Sequence, residues 1–256
     1  MNSTNLEKMS LSVVIPLFNS ETTIGKLARN VHKEIIGKIN SLEIILINDG
    51  SSDNTENEVE KVIKEFPNTI KYIALSKNFG EHNAVMCGLN HSTGDCVVII
   101  DDDFQNPPEE ILKLVSKISE GYDIVFSYYK QKKHSFFRNM GSRFNNWMAT
   151  ILLEKPNDLY LSSFKAINSS LVKEIIQYQG PFPYIDGILL QLTKNIGTVL
   201  CQHNEREDGE SNYTLRKLVR LWLNMVTGFS ITPLRVASWI GIFMSIFAAL
   251  MVPFFI

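Results

Sequence analysis

Hydrophobic and polar positions in the first half of the chain alternate between short aliphatic runs and longer stretches with an apolar residue every three or four positions. "LSVVIPLF" (11–18), "LEIILIND" (42–49), "IKYIALS" (70–76), "DCVVIID" (95–101) and "DIVFSYY" (123–129) read as strands. The run 42–49 is almost continuously aliphatic, as expected when helices cover both faces of a strand. Helical spacing is predicted over 21–39, within 50–66 after a Ser or Asp cap, around 81–92, and over 106–121. That last stretch has Pro at its start and Gly at its end. Repeated βα units imply an α/β fold with a mainly parallel, doubly wound sheet. Such sheets bind ligands at the C-terminal ends of their strands, which singles out the loops after Ile15, Ile47, Leu75 and Ile100.

The pattern changes toward the C-terminus. Residues 236–256 are 21 positions without a charge, about the length that spans a bilayer core; a buried apolar helix is the plainer alternative. From Ser211 onward there is no acidic residue, while Arg216, Lys217, Arg220 and Arg235 precede the apolar run. Basic flanks mark the cytoplasmic side. A helix drawn from Ser211 puts Arg216, Lys217, Arg220, Asn224 and Thr227 on one face, and Leu215, Leu218, Val219, Trp222 and Val226 on the other. That suits a membrane interface or docking on a core. Between Asp123 and Glu154, Lys130, Lys132, Lys133, Arg138 and Arg143 interleave with aromatic residues. This is a solvated surface or a contact with an anionic membrane. The expected organisation is a catalytic domain over 1–210, amphipathic juxtamembrane helices over 211–235 and a transmembrane helix over 236–256.

Composition narrows the function classes. The 256 residues are 45% hydrophobic and 20% charged, with net charge −2. No global field points to nucleic acid. Cys87, Cys96 and Cys201 match no zinc or redox spacing and read as buried thiols in a reducing compartment. The N-terminus lacks the pattern of a signal peptide. Neither a Gly-x-Gly-x-x-Gly nor a P-loop is present, which weakens dinucleotide and ATPase readings.

The chemistry concentrates at strand ends. Asp101, Asp102 and Asp103 follow four aliphatic residues, and crowded carboxylates are costly unless a cation joins them. Hard ions such as Mg²⁺ or Mn²⁺ take oxygen ligands. If the strand stays extended, Asp101, Asp103 and Gln105 share a side and Asp102 points away from the metal. A helix cap or turn is the alternative use of these residues. Asp49-Gly50 is a turn signal whose carboxylate also suits a nucleobase or ribose. Lys77, near a Gly that precedes a helix, suits a phosphate.

"SVVIPLFNSE", "LINDGSSDNT", "LSKNFGEHNAVMCGLNHSTGD" and "IDDDFQNPPE", in this order and spacing, resemble family 2 glycosyltransferases of the GT-A (Rossmann-like) fold. They resemble in particular the branch that glycosylates polyprenyl phosphates, which includes enzymes like dolichol-phosphate-mannose synthase. The resemblance implies nucleotide-sugar contacts at Pro16, Phe18, Asn19, Glu21, Asp49, Lys77, Asp101 and Asp102. It implies metal ligation by Asp101 and Asp103 with Gln105 nearby. The middle position of the acidic motif is commonly small in the family; Asp102 departs from this and adjusts charge at the site. "REDGES" resembles an Arg-x-x-Gly-x-Ser element, so Arg206 and Ser211 are expected at the acceptor phosphate with Lys165 and Arg138. Catalytic roles fall on Arg206 and on two candidate bases, Asp158 and Asp186. Ser163 and Lys165 stand where the family has Gly and Arg.

The expected activity is an inverting transfer from a UDP- or GDP-sugar to a polyprenyl (undecaprenyl or dolichyl) phosphate. The enzyme would sit at the cytoplasmic membrane with its catalytic domain on the cytoplasmic side, and a homo-oligomer is left open. The branch carries two membrane helices; this chain ends after one, as the first of a pair in a truncated chain or as a shorter form. Two other readings are a glycosyltransferase acting on a saccharide or glycolipid acceptor in surface polysaccharide synthesis, and a non-catalytic membrane-bound sensor of sugar nucleotides.

Overall fold

A computed structural model describes residues 6–129, 156, 159–180, 182–204 and 232–251. The aliphatic runs become β1 (Ser10–Leu17), β2 (Ser41–Asn48), β3 (Ile70–Ala74), β4 (Cys96–Ile99) and β5 (Ile124–Tyr128). The strands β6 (Lys165–Asn168) and β7 (Ile196–Leu200) follow. Helices are α1 (Ile24–Ile35), α2 (Thr55–Glu65), α3 (Glu81–His91), α4 (Ile111–Ile118), α5 (Ser169–Ile175), α6 (Ile185–Leu192) and α7 (Thr232–Met251). A 3-10 turn at Pro108–Glu110 leads into α4.

The strand order is β3-β2-β1-β4-β6-β5-β7. Among the described residues only β6 runs against its neighbours β4 and β5; the other pairings are parallel. The start of β6 therefore lies at the same sheet edge as the ends of the other strands. Strand order reverses between β1 and its two neighbours β2 and β4, which opens a crevice there.

Both faces of the central strands are covered. Ile44 and Leu46 of β2 join one core with Leu27, Ala28 and Val31 of α1, residues at helical spacing. Ile47 and Val14 meet α3 on the other face, where a Cβ on Gly88 would come within 2.3 Å of Val14 Cγ1. Burying the successive residues Ile44 to Ile47 completely explains why β2 shows no polar alternation.

At the opposite edge of the sheet, Glu43 accepts from Thr93 N (2.6 Å) and Thr93 Oγ1 (3.0 Å), hydrogen-bonds Ser12 Oγ, and pairs with Lys71. Burial pushes its carboxyl up, but Lys71, Ser12 and Thr93 together pull it below the ordinary glutamate value. A depressed folded-state value means this stabilisation is present above the unfolded value of 4.5 and is lost as pH falls through the folded value. Glu43→Gln is expected to cost about 2 kcal/mol at pH 7. In paired urea titrations at pH 7 and pH 3, that difference should shrink at pH 3; a constant difference refutes the ionic origin.

The chain divides into two compact units, Met1–Ser135 with Asp158–Glu210 and Phe136–Asn157 with Ser211–Ile256. The sheet and α1 to α6 belong to the first. In the second, α7 overlaps the apolar stretch 236–256 and exposes Trp239, Ile240, Ile242, Phe243, Met244, Ile246 and Phe247. Among the described residues no helix is long and apolar enough to cross a membrane. Residues 252–256 and 211–231 lie outside the described residues; the last four positions of the amphipathic stretch expected over 211–235 belong to α7, so the helix begins before the boundary expected at 236.

Candidate active site

Four loops, those after β1, β2, β3 and β4, come together at this edge of the sheet. After β1 the chain turns through Asn19, which takes a left-handed backbone (φ 56). Its N–H donates to Ser51 Oγ (3.0 Å), and its Oδ1 accepts from Ser52 N (2.9 Å). Glu21 N donates to Asp53 Oδ2 (3.1 Å), and Glu21 Oε2 accepts from Asn54 N (2.8 Å). Asp53 Oδ1 accepts from Thr55 N and Thr55 Oγ1 at the start of α2. Asn19 and Glu21 thus join the β1 and β2 loops through polar side chains, while Phe18 stands exposed beside them. Pro16 lies within β1, in register with Ile47.

Asp49, immediately after β2, is buried and accepts from Phe79 N (2.7 Å) and Gly80 N (2.8 Å). Burial raises its carboxyl, and these two hydrogen bonds offset part of the rise. Gly50 follows with φ 69, and a Cβ there would fall 2.6 Å from the Lys77 carbonyl carbon. Glycine is therefore required for the β2 and β3 loops to approach this closely. Lys77 lies beside this contact, its Nζ 5.1 Å from the centre of the Phe79 ring.

The acidic triplet differs from the extended geometry expected of it. β4 ends at Ile99, and residues 102–106 form a continuous bend in which Phe104 has φ 58. Strand alternation therefore does not set the side-chain directions. Asp102 hydrogen-bonds Ser20 Oγ across the crevice, and Ser20 Oγ also accepts from Phe18 N (3.1 Å). The residue left over by the sequence pattern thus ties the acidic turn to the loop after β1. Asp103 Oδ1 accepts from Gln105 N (3.1 Å), closing a tight turn.

The electrostatics of the turn are dominated by the burial of Asp101 among neighbouring carboxylates. Burial, then the charge of Glu81 and those of Asp103 and Asp102, push Asp101 up to about 7 against a hydrogen bond from Ser163. An oxygen-seeking divalent cation would relieve this crowding. Among the described residues no three His, Cys, Asp or Glu side chains form a metal cage of their own. A cation shared with a diphosphate needs only one or two carboxylates, and Asp101 and Asp103 fit that requirement.

Lys165 and Asp186 form a buried ion pair, with side chains 5% and 11% exposed. Lys165 Nζ also lies 5.3 Å from the centre of the Phe126 ring. His82, 5.1 Å from Tyr184 between ring centres, is pushed down by burial and by Lys165, while Glu81 and Asp186 act the other way. Asp186, a candidate base, is therefore engaged by an ammonium group. Asp158, Arg138, Arg206 and Ser211 lie outside the described residues.

Sequence reasoning missed several residues at this edge. Ser20 and His82 sit inside quoted motifs but had no assigned role, and Ser163 was noted only as standing where the family has Gly. His203 had no signal, since its partner is a main-chain carbonyl. A cavity of about 670 Å³ lies on its flank, lined by Lys113, Tyr129, Leu200, Cys201, Gln202, His203 and Asn204; none of the three aspartates lines it.

The family model for glycosyl transferase family 2 matches residues 12–176, which hold the four loops and β6. The chain belongs to that family. Two family relatives are the undecaprenyl-phosphate 4-deoxy-4-formamido-L-arabinose transferases of Enterobacter sp. (strain 638) and Edwardsiella ictaluri (strain 93-146). The first is 34% identical over 233 residues, covering 90% of this chain and 71% of the relative. The second is 32% identical over 231 residues with the same coverages. Among solved structures, glucosyl-3-phosphoglycerate synthase from Mycobacterium tuberculosis with Mn²⁺, UDP and glucosyl-3-phosphoglycerate aligns with TM-score 0.62 at 20% identity. That alignment covers 88% of this chain and 82% of that one. The same synthase with Mn²⁺, UDP-glucose and phosphoglyceric acid gives TM-score 0.62 at 19% identity, with the same coverages. This glycosyl transferase family 2 chain thus shares the GT-A-like fold of that synthase.

Proposed function

We propose that this family 2 glycosyltransferase moves a sugar, with inversion, from a UDP- or GDP-sugar to a polyprenyl phosphate at the cytoplasmic membrane. The observation that carries the reading is the acidic turn at the β1–β4 crevice, with Asp101 pushed up to about 7 by burial and neighbouring carboxylates. Two relatives whose names specify undecaprenyl phosphate support the acceptor. The solved synthase with Mn²⁺ and UDP-glucose supports a divalent ion and a nucleotide-sugar donor. Asp101 and Asp103, with Gln105 nearby, hold Mg²⁺ or Mn²⁺, which supplies charge neutralisation for the departing nucleoside diphosphate. Asp49, Phe18, Asn19, Glu21, Pro16, Lys77 and Asp102 frame the nucleotide side.

Attack by an acceptor phosphate oxygen on the anomeric carbon forms a C–O–P bond as the bond to the nucleotide phosphate breaks. A phosphate monoester has a second pKa near 6, so that oxygen is already largely ionised at neutral pH. Positioning and charge neutralisation matter more than a base; Arg206, Ser211 and Arg138 are the residues assigned to that task, whereas Lys165, expected among them, is buried and held by Asp186. Transfer to a saccharide hydroxyl needs a base, and the engagement of Asp186 by Lys165 weighs against it.

The charge-free stretch 236–256 and the exposed apolar side chains of α7 support membrane attachment. The proposed division keeps 1–210 as catalytic domain, 211–235 at the interface and 236–256 in the bilayer. Membranes carrying the protein, given labelled UDP- and GDP-sugars with undecaprenyl phosphate, should place label in the organic extract. Label confined to the aqueous phase or to saccharide would defeat the proposal.

A further inference from the structure

We propose that His203 and Tyr129 are positioning residues that hold the acidic turn in its metal-ready shape. The proposal rests on the reading of that turn as the metal and diphosphate site. Two main-chain and side-chain anchors on the turn define it. The Gln105 carbonyl oxygen lies 3.0 Å from His203 Nδ1 and accepts from Asn204 N at 2.9 Å. A carbonyl only accepts, so Nδ1 carries the proton. One residue on, the buried Asn106 accepts at Oδ1 from Tyr129 OH at 2.6 Å.

The two anchors are joined to each other and to the sheet. The rings of Tyr129 and His203 stack with centres 4.3 Å apart at 19°. The Tyr129 hydroxyl also lies 2.9 Å from both Ser127 Oγ of β5 and Ser162 Oγ. Ser127 Oγ donates to Ser162 Oγ at 2.8 Å. Tyr129 and His203 therefore stand just past the ends of β5 and β7 and grip the last two residues of the bend that begins beyond Asp101.

The arrangement has a function beyond packing. Gln105 N closes the turn on Asp103 Oδ1 at 3.1 Å, so a displaced Gln105 peptide moves the Asp103 carboxylate. His203 is exposed and borders the 670 Å³ cavity, so truncating it buries no new void and costs little stability. Its loss should appear at the metal. Partners of this kind behind metal-binding groups typically change metal affinity about 10–100-fold when removed.

The test measures Mn²⁺ half-saturation in full-length protein with saturating UDP or GDP, whichever the wild type binds, by the paramagnetic resonance of free Mn²⁺. His203→Ala should raise it about tenfold or more while the thermal midpoint stays near wild type. His203→Asn carries an amide donor near the position of Nδ1 and should recover most of the loss, which generic packing would not predict. Tyr129→Phe, lacking one oxygen, should raise it about threefold or more, in line with one lost hydrogen bond; it also tests the idea should His203→Ala fail to fold. Wild-type half-saturation in a folded His203→Ala or in Tyr129→Phe overturns the proposal, as does an Asn variant no better than Ala. A wild-type protein that binds no Mn²⁺ with either nucleotide overturns the parent reading and this proposal with it.

Discussion

Asp103→Ala should lower metal-dependent sugar transfer by about a thousandfold, because the metal contributes several kcal/mol of charge stabilisation as the nucleoside diphosphate leaves. The alanine change has a second consequence, since Asp103 Oδ1 also accepts from Gln105 N and shapes the turn. Asp103→Asn separates the two effects: its amide oxygen can still accept that hydrogen bond, but the negative charge is gone. The asparagine variant should keep the wild-type thermal midpoint and still lose at least about a hundredfold in rate. Initial rates across Mn²⁺ and Mg²⁺ concentrations, with lipid product quantified, check both variants. Near-normal turnover by either would remove Asp103 from the metal.

The second large effect concerns stability. Lys165 and Asp186 are both buried, and removing one partner leaves a charge in the core without compensation. Lys165→Met and Asp186→Asn should each destabilise the protein by about 3–5 kcal/mol. The double variant Lys165→Met/Asp186→Leu should be more stable than either single one, because hydrophobic replacement of a buried pair is often near neutral. Urea unfolding of the three variants measures this; additive losses would show that the two groups do not compensate each other. The same Asp186→Asn protein, assayed below its unfolding midpoint, separates the acceptor readings. Retained transfer to polyprenyl phosphate fits an acceptor that arrives ionised, whereas a complete dependence on Asp186 favours a hydroxyl acceptor.

How far the sequence carried depended on the range of the interaction. Helical spacing at Ile24, Leu27, Ala28, Val31 and Ile35 reports which face of α1 is buried, and all five are. The aliphatic run of β2 reports that both of its faces are covered, and Ile44 to Ile47 are fully buried. Such patterns are legible because neighbours in sequence share one environment. The acidic triplet shows where this stops. The alternation rule applied to Asp101–Asp103 required an extended chain, but β4 ends at Ile99 and a left-handed Phe104 redirects the turn.

His203 marks the same limit from the other side. Its partner is a main-chain carbonyl 98 positions away, and a main-chain partner leaves no trace in residue identity. Ser20 and Asp102 are likewise 82 positions apart, and nothing in either local pattern pairs them. Sequence by itself determined the strand and helix alternation, the family resemblance, and the accumulation of carboxylates at one strand end. Local propensity, burial pattern and composition are written residue by residue. Tertiary structure alone decided that β6 runs antiparallel, that Asp186 is engaged by Lys165, and that Asp102 bonds Ser20 across the crevice. Those outcomes follow from which distant segments become neighbours when the sheet assembles, a property of the whole chain.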